Sequence, residues 1–185
     1  MPPPGWILAL DTATPWLALA LWHSGDGRSA RADAYLGRAI AGRLMGDVEA
    51  FLHLHDVERE ALVGIAVGVG PGSYTGVRIG IAAALGLGRS LAVPVSGSGT
   101  LEALAFAALS DGERGWSLLD ARRERAYALL ARRVGDGLQV ERDGAPLPRS
   151  ELPDDGLARY EGHAPDARWH ARSHRLWAPP VARYG

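Results

Sequence analysis

Two short segments carry the residues best suited to chemistry. Asp11-Thr12-Ala13-Thr14 closes an apolar run at residues 6–10. A carboxylate followed by hydroxyls at the end of a first strand can position a metal-bound phosphate, and it can equally cap a turn. The second segment, Gly68-Val69-Gly70-Pro71-Gly72-Ser73-Tyr74-Thr75-Gly76, joins an apolar run to a helical one. N–H groups at such a junction, with a helix dipole behind them, favour anions. The candidate phosphate-loop residues are therefore Asp11, Thr12, Gly70, Gly72 and Ser73. No strict fingerprint is met. G-x-G-x-x-G fails at Ser73 or at Thr75 according to register, the Walker pattern lacks its lysine, and Pro71 before Gly72-Ser73 breaks the nucleophile elbow. A tight strand-to-helix turn capped by Ser73 accounts for the same residues.

His170 and His174 stand four apart on a predicted helix, the spacing of a metal-binding pair. Arg168, Arg172 and Arg175 crowd the same turns and oppose a cation, so the expectation is a solvated basic face and no metal site. Arg122, Arg123, Arg125, Arg132 and Arg133 form the densest basic cluster, offset by Asp120 and Glu124; a solvated strand face is expected there rather than an RNA surface. The 185 residues include no cysteine, which excludes disulfides and thiolate chemistry. All 20 basic residues are arginine, which excludes a Schiff base or a catalytic ammonium. The net charge of −1 gives no long-range attraction for nucleic acid or an anionic membrane.

These residues need a scaffold, and the periodicity supplies one. Residues 6–10, 16–22 and 29–35 read as strands, with Asp26-Gly27 marking a hairpin. Leu36, Ile40, Leu44, Val48 and Phe51 recur at helical spacing and predict a helix over 37–54. A strand at 62–69, a helix at 74–90, a strand at 93–96 and a helix at 101–109 follow. After Ser110-Asp111-Gly112-Glu113 the strand pattern restarts at 116–119, 126–130 and 138–141, with one more helix near 164–176. The partial repeat predicts an α/β protein of two lobes, residues 1–109 and 110–185, the second reduced. The start Met1-Pro2-Pro3-Pro4-Gly5 lacks a basic n-region, and the longest apolar run, between Arg78 and Arg89, is too short for a bilayer. A cytoplasmic protein without membrane contact is expected.

The 74–90 helix is apolar nearly all round. One row holds Gly76, Gly80, Ala84 and Gly88; the adjacent row begins at Val77, and only the row of Arg78 is polar. The 37–54 helix carries its own small row, Gly42, Gly46 and Ala50, beside Met45. Glycine inside a helix costs about 0.5–1 kcal/mol relative to alanine, so repeated glycines imply close backbone approach. Either the rows lie on the chain's own sheet, or Gly42, Met45, Gly46, Gly76, Val77, Gly80 and Ala84 form a helix–helix interface with another protein.

The blocks Ile7-Leu8-Ala9-Leu10-Asp11-Thr12-Ala13-Thr14 and Gly70-Pro71-Gly72-Ser73-Tyr74-Thr75-Gly76-Val77-Arg78-Ile79-Gly80 closely resemble the TsaB (YeaZ) family. Ser98-Gly99-Thr100-Leu101-Glu102-Ala103-Leu104-Ala105 and Asp120-Ala121-Arg122-Arg123-Glu124 fit it as well, in the family order, and the resemblance covers about residues 6–133. It implies the actin-like ATPase (ribonuclease H-like) fold. It also implies a non-catalytic subunit that binds and activates TsaD, a threonylcarbamoyltransferase making N6-threonylcarbamoyladenosine next to the tRNA anticodon. TsaD is the implied direct partner, TsaE joins the complex, tRNA is engaged indirectly, and the chain can pair with itself through the same first-lobe helices. No cofactor is implied within the chain; ATP or ADP at the complex junction is left open. The older glycoprotease label finds no nucleophile or metal site. Relatives often carry a hydroxyl or histidine and a proline where helix 37–54 has Ala41-Gly42 and Gly46. The alternative from a different class is a small nucleotide-dependent phosphotransferase or ATPase using Asp11 and the 70–76 loop.

Overall fold

Side-chain alternation along the first strand organises the molecule. In the computed structural model, which describes residues 4–174, β1 (Trp6–Asp11) pairs antiparallel with β2 (Trp16–His23), and β2 with β3 (Ser29–Tyr35). A short 3-10 turn at Gly37–Ala39 leads into α1 (Ile40–Leu54). Next come β4 (Leu62–Gly68), parallel to β1, then α2 (Tyr74–Leu91) and β5 (Val95–Ser98), parallel to β4. The sheet order is β3-β2-β1-β4-β5. Successive strand residues face opposite sides. Leu8 and Leu10 of β1, Leu17, Leu19 and Leu21 of β2, and Ile65 and Val67 of β4 meet Leu44, Val48 and Phe51 of α1 and Ala84 of α2. Ile7, Ala9, Ala18, Ala20 and Ala66 form the opposite face, and Asp11 shares the register of Ile7 and Ala9.

A helix from the far end of the chain covers that second face. After α3 (Thr100–Ala108) come β6 (Arg114–Asp120), β7 (Arg125–Val134), β8 (Gly137–Arg142), the three-residue β9 (Pro146–Pro148) and β10 (Ala158–Glu161). Their sheet runs β10-β6-β7-β8 with β9 on β7, and β10 is parallel to β6. This repeats the β4-β1-β2-β3 arrangement. Where the first lobe has α1, the second has only β9 and a 3-10 turn at Arg149–Glu151, so it is the reduced copy. The chain then ends its described course in α4 (Ala167–Ser173), whose Ala167 and Ala171 sit on Ala9, Ala18 and Ala20.

Two helices therefore lie across the expected lobe boundary. α3 was expected in the first lobe, but its Leu101, Leu104 and Ala105 join Leu129 and Ala131 of the second sheet. α4 was expected in the second, yet it docks on the first. Apolar periodicity reports that a helix has a buried face and not which sheet receives it. The strand expected at 93–96 begins two residues later. Ala92 turns left-handed at the end of α2 (φ 54°), Val93 N–H donates to Gly88 O, and Pro94 has no N–H for the ladder. β9 and β10 are not among the predicted strands and lie in a stretch rich in Pro, Asp and Arg. Residues 175 and 176 of the helix predicted over 164–176 lie outside the described residues.

Candidate functional site

Asp11 is fully buried, and its carboxylate is consumed inside the fold. Oδ1 accepts from Ala13 N–H at 2.8 Å, and Oδ2 accepts from Thr100 Oγ1 at 2.8 Å. His170 Nε2 lies 2.9 Å from the same Oδ2, with neither side chain exposed. Its Nδ1 is 2.7 Å from Ser98 Oγ. A ring donating from Nε2 to the carboxylate accepts from the serine at Nδ1. One helical turn on, His174 Nδ1 is 2.5 Å from Ser96 Oγ, so one histidine on α4 and one at its C-cap meet two serines on β5. Burial pushes the His174 ring below the usual histidine range, against a hydrogen bond with the Ile65 backbone. A Cβ at Gly64 would overlap the His174 ring, and one at Gly68 would overlap the Asp11 carboxylate, so these glycines make the room.

The pair expected on a solvated basic face is therefore buried. The register of β1 and β5 sends Asp11, Ser96 and Ser98 toward α4, and polar groups there must find partners. Asp166 caps α4 by accepting from Arg168 N–H at 3.0 Å, and it pairs with Arg31 and Arg168. Burial works to raise its carboxyl, but the hydrogen bonds from Arg168 and the nearby charges outweigh this and hold it below the usual range. The chain Ser98–His170–Asp11 has the composition of a nucleophilic triad, and Ser96–His174 repeats its outer rung without an acid; both rungs tie the α4 end of the chain to β5. Among the described residues, no group of three His, Cys, Asp or Glu side chains stands in metal-ligating arrangement.

The loop after β4 is knitted to the turn after β1. Gly70 N–H donates to Thr100 Oγ1, Ser73 N–H to Ala13 O, Gly76 N–H to Ser73 Oγ and Val77 N–H to Ser73 O. Thr12 Oγ1 donates to Gly76 O at 2.7 Å. Ser73 is the helix cap. Gly72 lines an interlobe cleft of about 370 Å³ together with Thr14, Tyr74, Arg122 and Tyr127. The structure thus brings Asp11, Thr12, Gly70, Gly72 and Ser73 together, but the phosphotransferase reading needs an acid facing the cleft, and Asp11 faces α4.

The candidate interface divides in two. Gly76, Val77, Gly80 and Ala84 are buried against the chain's own sheet. A Cβ on Gly76 would overlap Thr12 O, and one on Gly80 would lie 2.5 Å from Thr12 Oγ1. The chain's own sheet covers these four residues, because their backbone approaches the β1 end and β4. Gly42 and Gly46 face open space, and Met45 is 49% exposed. The outward residues of α2 include Arg78, Ala82, Leu85, Gly86 and Arg89, of which Leu85 is 48% exposed and Gly86 has nothing near its Cβ position. An apolar groove of about 400 Å³ runs between the helices, lined by Met45, Leu52, Gly86, Leu87 and Leu91. Leu85 and Gly86 escaped the sequence reading, although exposed apolar residues opposite the glycine row were the available signal.

The predicted arginine cluster is dispersed. Arg125 donates to Pro146 O, Arg132 to Gly112 O, and Arg133 lies 3.5 Å over the Phe106 ring. Arg122, Arg123 and Arg125 stay exposed, the first two in the turn between β6 and β7 and without a hydrogen-bond partner for their guanidinium groups among the described residues.

Fold and site together define a two-lobed actin-like α/β protein whose first-strand acid is sealed under its last described helix and whose outward helices carry an apolar groove. The profile described as TsaD, tRNA N6-adenosine threonylcarbamoyltransferase, matches residues 36–145. The tRNA threonylcarbamoyladenosine biosynthesis protein TsaB of Bacillus subtilis is 38% identical over 124 residues, 67% of this chain and 54% of that protein. An uncharacterized protein of Mycobacterium tuberculosis is 33% identical over 150 residues, 77% of this chain and 68% of that protein. YeaZ from Pseudomonas aeruginosa superposes with a TM-score of 0.85 at 24% identity, covering 98% of this chain and 100% of that one. The chain belongs to the TsaB/YeaZ family of TsaD-related proteins. Its match spans about half the length of the Bacillus relative. No helix among the described residues is long and apolar enough to cross a membrane.

Proposed function

We propose that this chain is a non-catalytic scaffold in the formation of N6-threonylcarbamoyladenosine in tRNA, and that it binds and activates a TsaD-type transferase through the outward face of α1 and α2. The observation that carries this is the groove between those helices. Gly42, Gly46 and Gly86 leave backbone bare beside exposed Met45 and Leu85, which is the surface two helices need to approach closely. Exposed apolar surface of this kind marks interaction sites. The engaged Asp11 carboxylate supports the non-catalytic part. A second copy of the chain would compete for the same face, and TsaE would join the assembled pair; a nucleotide, if one is used, would sit at the junction.

The test is light scattering on a sizing column, with the chain alone and mixed with TsaD of the same organism, followed by an assay of the modification. A one-to-one complex that forms with wild type and is lost in a folded Met45→Glu variant is expected. Equal synthesis by TsaD with and without this chain would overturn the reading. ATP turnover by the isolated chain, abolished in Asp11→Ala, would restore the phosphotransferase alternative.

A further inference from the structure

The turn between β6 and β7 holds Arg122, Arg123 and Glu124 at φ 62°, 50° and 58°. Three successive left-handed residues, none of them glycine, are costly because the Cβ crowds the next carbonyl. Strain of this kind persists where the surroundings fix it, and an observed outlier of this sort points to function. The surroundings do fix it here. Ala121 N–H donates to Arg125 O, Arg125 N–H to Arg122 O, and Arg149 N–H to Glu124 O. Glycine would relieve the strain at each position, yet two arginines stand there. Among the described residues, neither guanidinium has a hydrogen-bond or ion-pair partner, and both are exposed.

The turn forms one wall of the interlobe cleft. The opposite wall presents Ser73 and Tyr74, and Tyr74 is 58% exposed with Arg78 5.2 Å from its ring centroid. Tyr127 and Arg122 both line the cleft. The charge of Asp120 is partly answered, since it accepts from Arg122 N–H and lies 3.7 Å from Arg149. Deeper in the fold the 70–76 loop spends N–H groups on internal partners and Asp11 faces away. What remains is a rim of two guanidinium groups and aromatic rings, with the exposed Glu124 carboxylate in the same turn; guanidinium groups beside rings can track a phosphodiester backbone and stack bases.

We propose that Arg122 and Arg123, with Tyr74 across the cleft, directly contact a single-stranded stretch of RNA. The choice of RNA rests on the proposed role in tRNA modification, while the surface is separate from the α1–α2 groove. The strain is retained because the turn holds Arg122 on the wall of the cleft and leaves Arg123 exposed next to it.

The experiment measures fluorescence anisotropy of a labelled tRNA transcript and of labelled oligouridine, with the full chain alone and in its complex with TsaD, across a salt series. Arg122→Gln/Arg123→Gln keeps the turn's left-handed demand and removes both charges. Two lost phosphate contacts make the salt slope shallower by about 1.4, so the wild-type advantage shrinks about sevenfold between 50 and 200 mM salt. Arg123→Gly separates a binding role from a structural one. It raises the melting temperature, by about 2–4 °C for each kcal/mol of strain released, while RNA affinity falls. Unchanged affinity and slope in the double variant overturn the proposal, as does RNA binding that fails in the TsaD complex altogether. Loss of ADP binding or of binding to an acidic protein, with RNA affinity intact, overturns it in favour of those ligands. A TsaD complex that forms normally while the RNA result is negative sinks this inference and leaves the scaffold reading standing; failure of that complex sinks the scaffold reading instead.

Discussion

Gly80→Ala and Gly86→Ala on α2 should move stability in opposite directions. In an exposed helix interior, alanine gains about 0.5–1 kcal/mol over glycine because the unfolded chain loses less entropy on folding. At Gly86 nothing lies within 4 Å of the new methyl, so the gain is kept. At Gly80 the methyl would sit 2.5 Å from Thr12 Oγ1, 3.4 Å from Leu10 Cδ1 and 3.5 Å from Val67 Cγ2. Thr12 is 1% exposed and its hydroxyl donates to Gly76 O, so it cannot swing away without losing that bond. Overpacking of this kind costs about 1–3 kcal/mol, and the hydrogen bond adds about 1 kcal/mol. The propensity gain offsets only part, leaving Gly80→Ala destabilised by about 1–3 kcal/mol. Urea denaturation of both variants, with m-values compared, reads this directly. A Gly80→Ala protein as stable as wild type, or a destabilised Gly86→Ala, would show that α2 presents the other row to the sheet and would return Gly76, Val77, Gly80 and Ala84 to the candidate interface.

Asp11→Ala removes the acceptor for Ala13 N–H, Thr100 Oγ1 and the His170 ring; at about 1–3 kcal/mol for each buried donor left unpaired, chemical denaturation should show a loss of more than about 3 kcal/mol. Stability should fall as pH drops below about 6.5. Burial lowers the folded-state pKa of His174, so the unfolded chain binds its proton first and unfolding is favoured from the ordinary histidine pKa downward. Urea midpoints at pH 7.5 and 5.5 should differ in wild type and converge in His174→Gln; an unchanged difference would assign the effect to another group. Met45→Glu should leave thermal stability within about 0.5 kcal/mol, since the side chain is half exposed, and should abolish the TsaD peak on the sizing column.

The sequence by itself determined whatever depends on neighbours along the chain. The apolar runs at residues 6–10 and 16–22, the helical spacing from Leu36 to Phe51, the Ser73 cap and the repeated strand pattern after Ser110 are local, and the observed β1, β2, α1 and α2 follow them closely. The partial repeat was legible because β6, β7 and β8 restate β1, β2 and β3. The family blocks were legible because the 70–76 loop needs glycines where its backbone meets the β1–β2 turn. The tertiary structure alone decided which face each pattern turns inward. The glycine row of α2 satisfied a sheet and a partner helix equally well on paper; the closeness of Thr12 to Gly76 and Gly80 chose the sheet. His170 and His174 read as solvated because three arginines flank them, yet the helix lies on glycines and serines of strands remote in sequence and buries both rings. That docking joins residues 159 apart in sequence, His170 and Asp11. No local pattern carries it, because a buried polar group is satisfied by whatever the fold brings within hydrogen-bond reach, and only the assembled fold determines what that is.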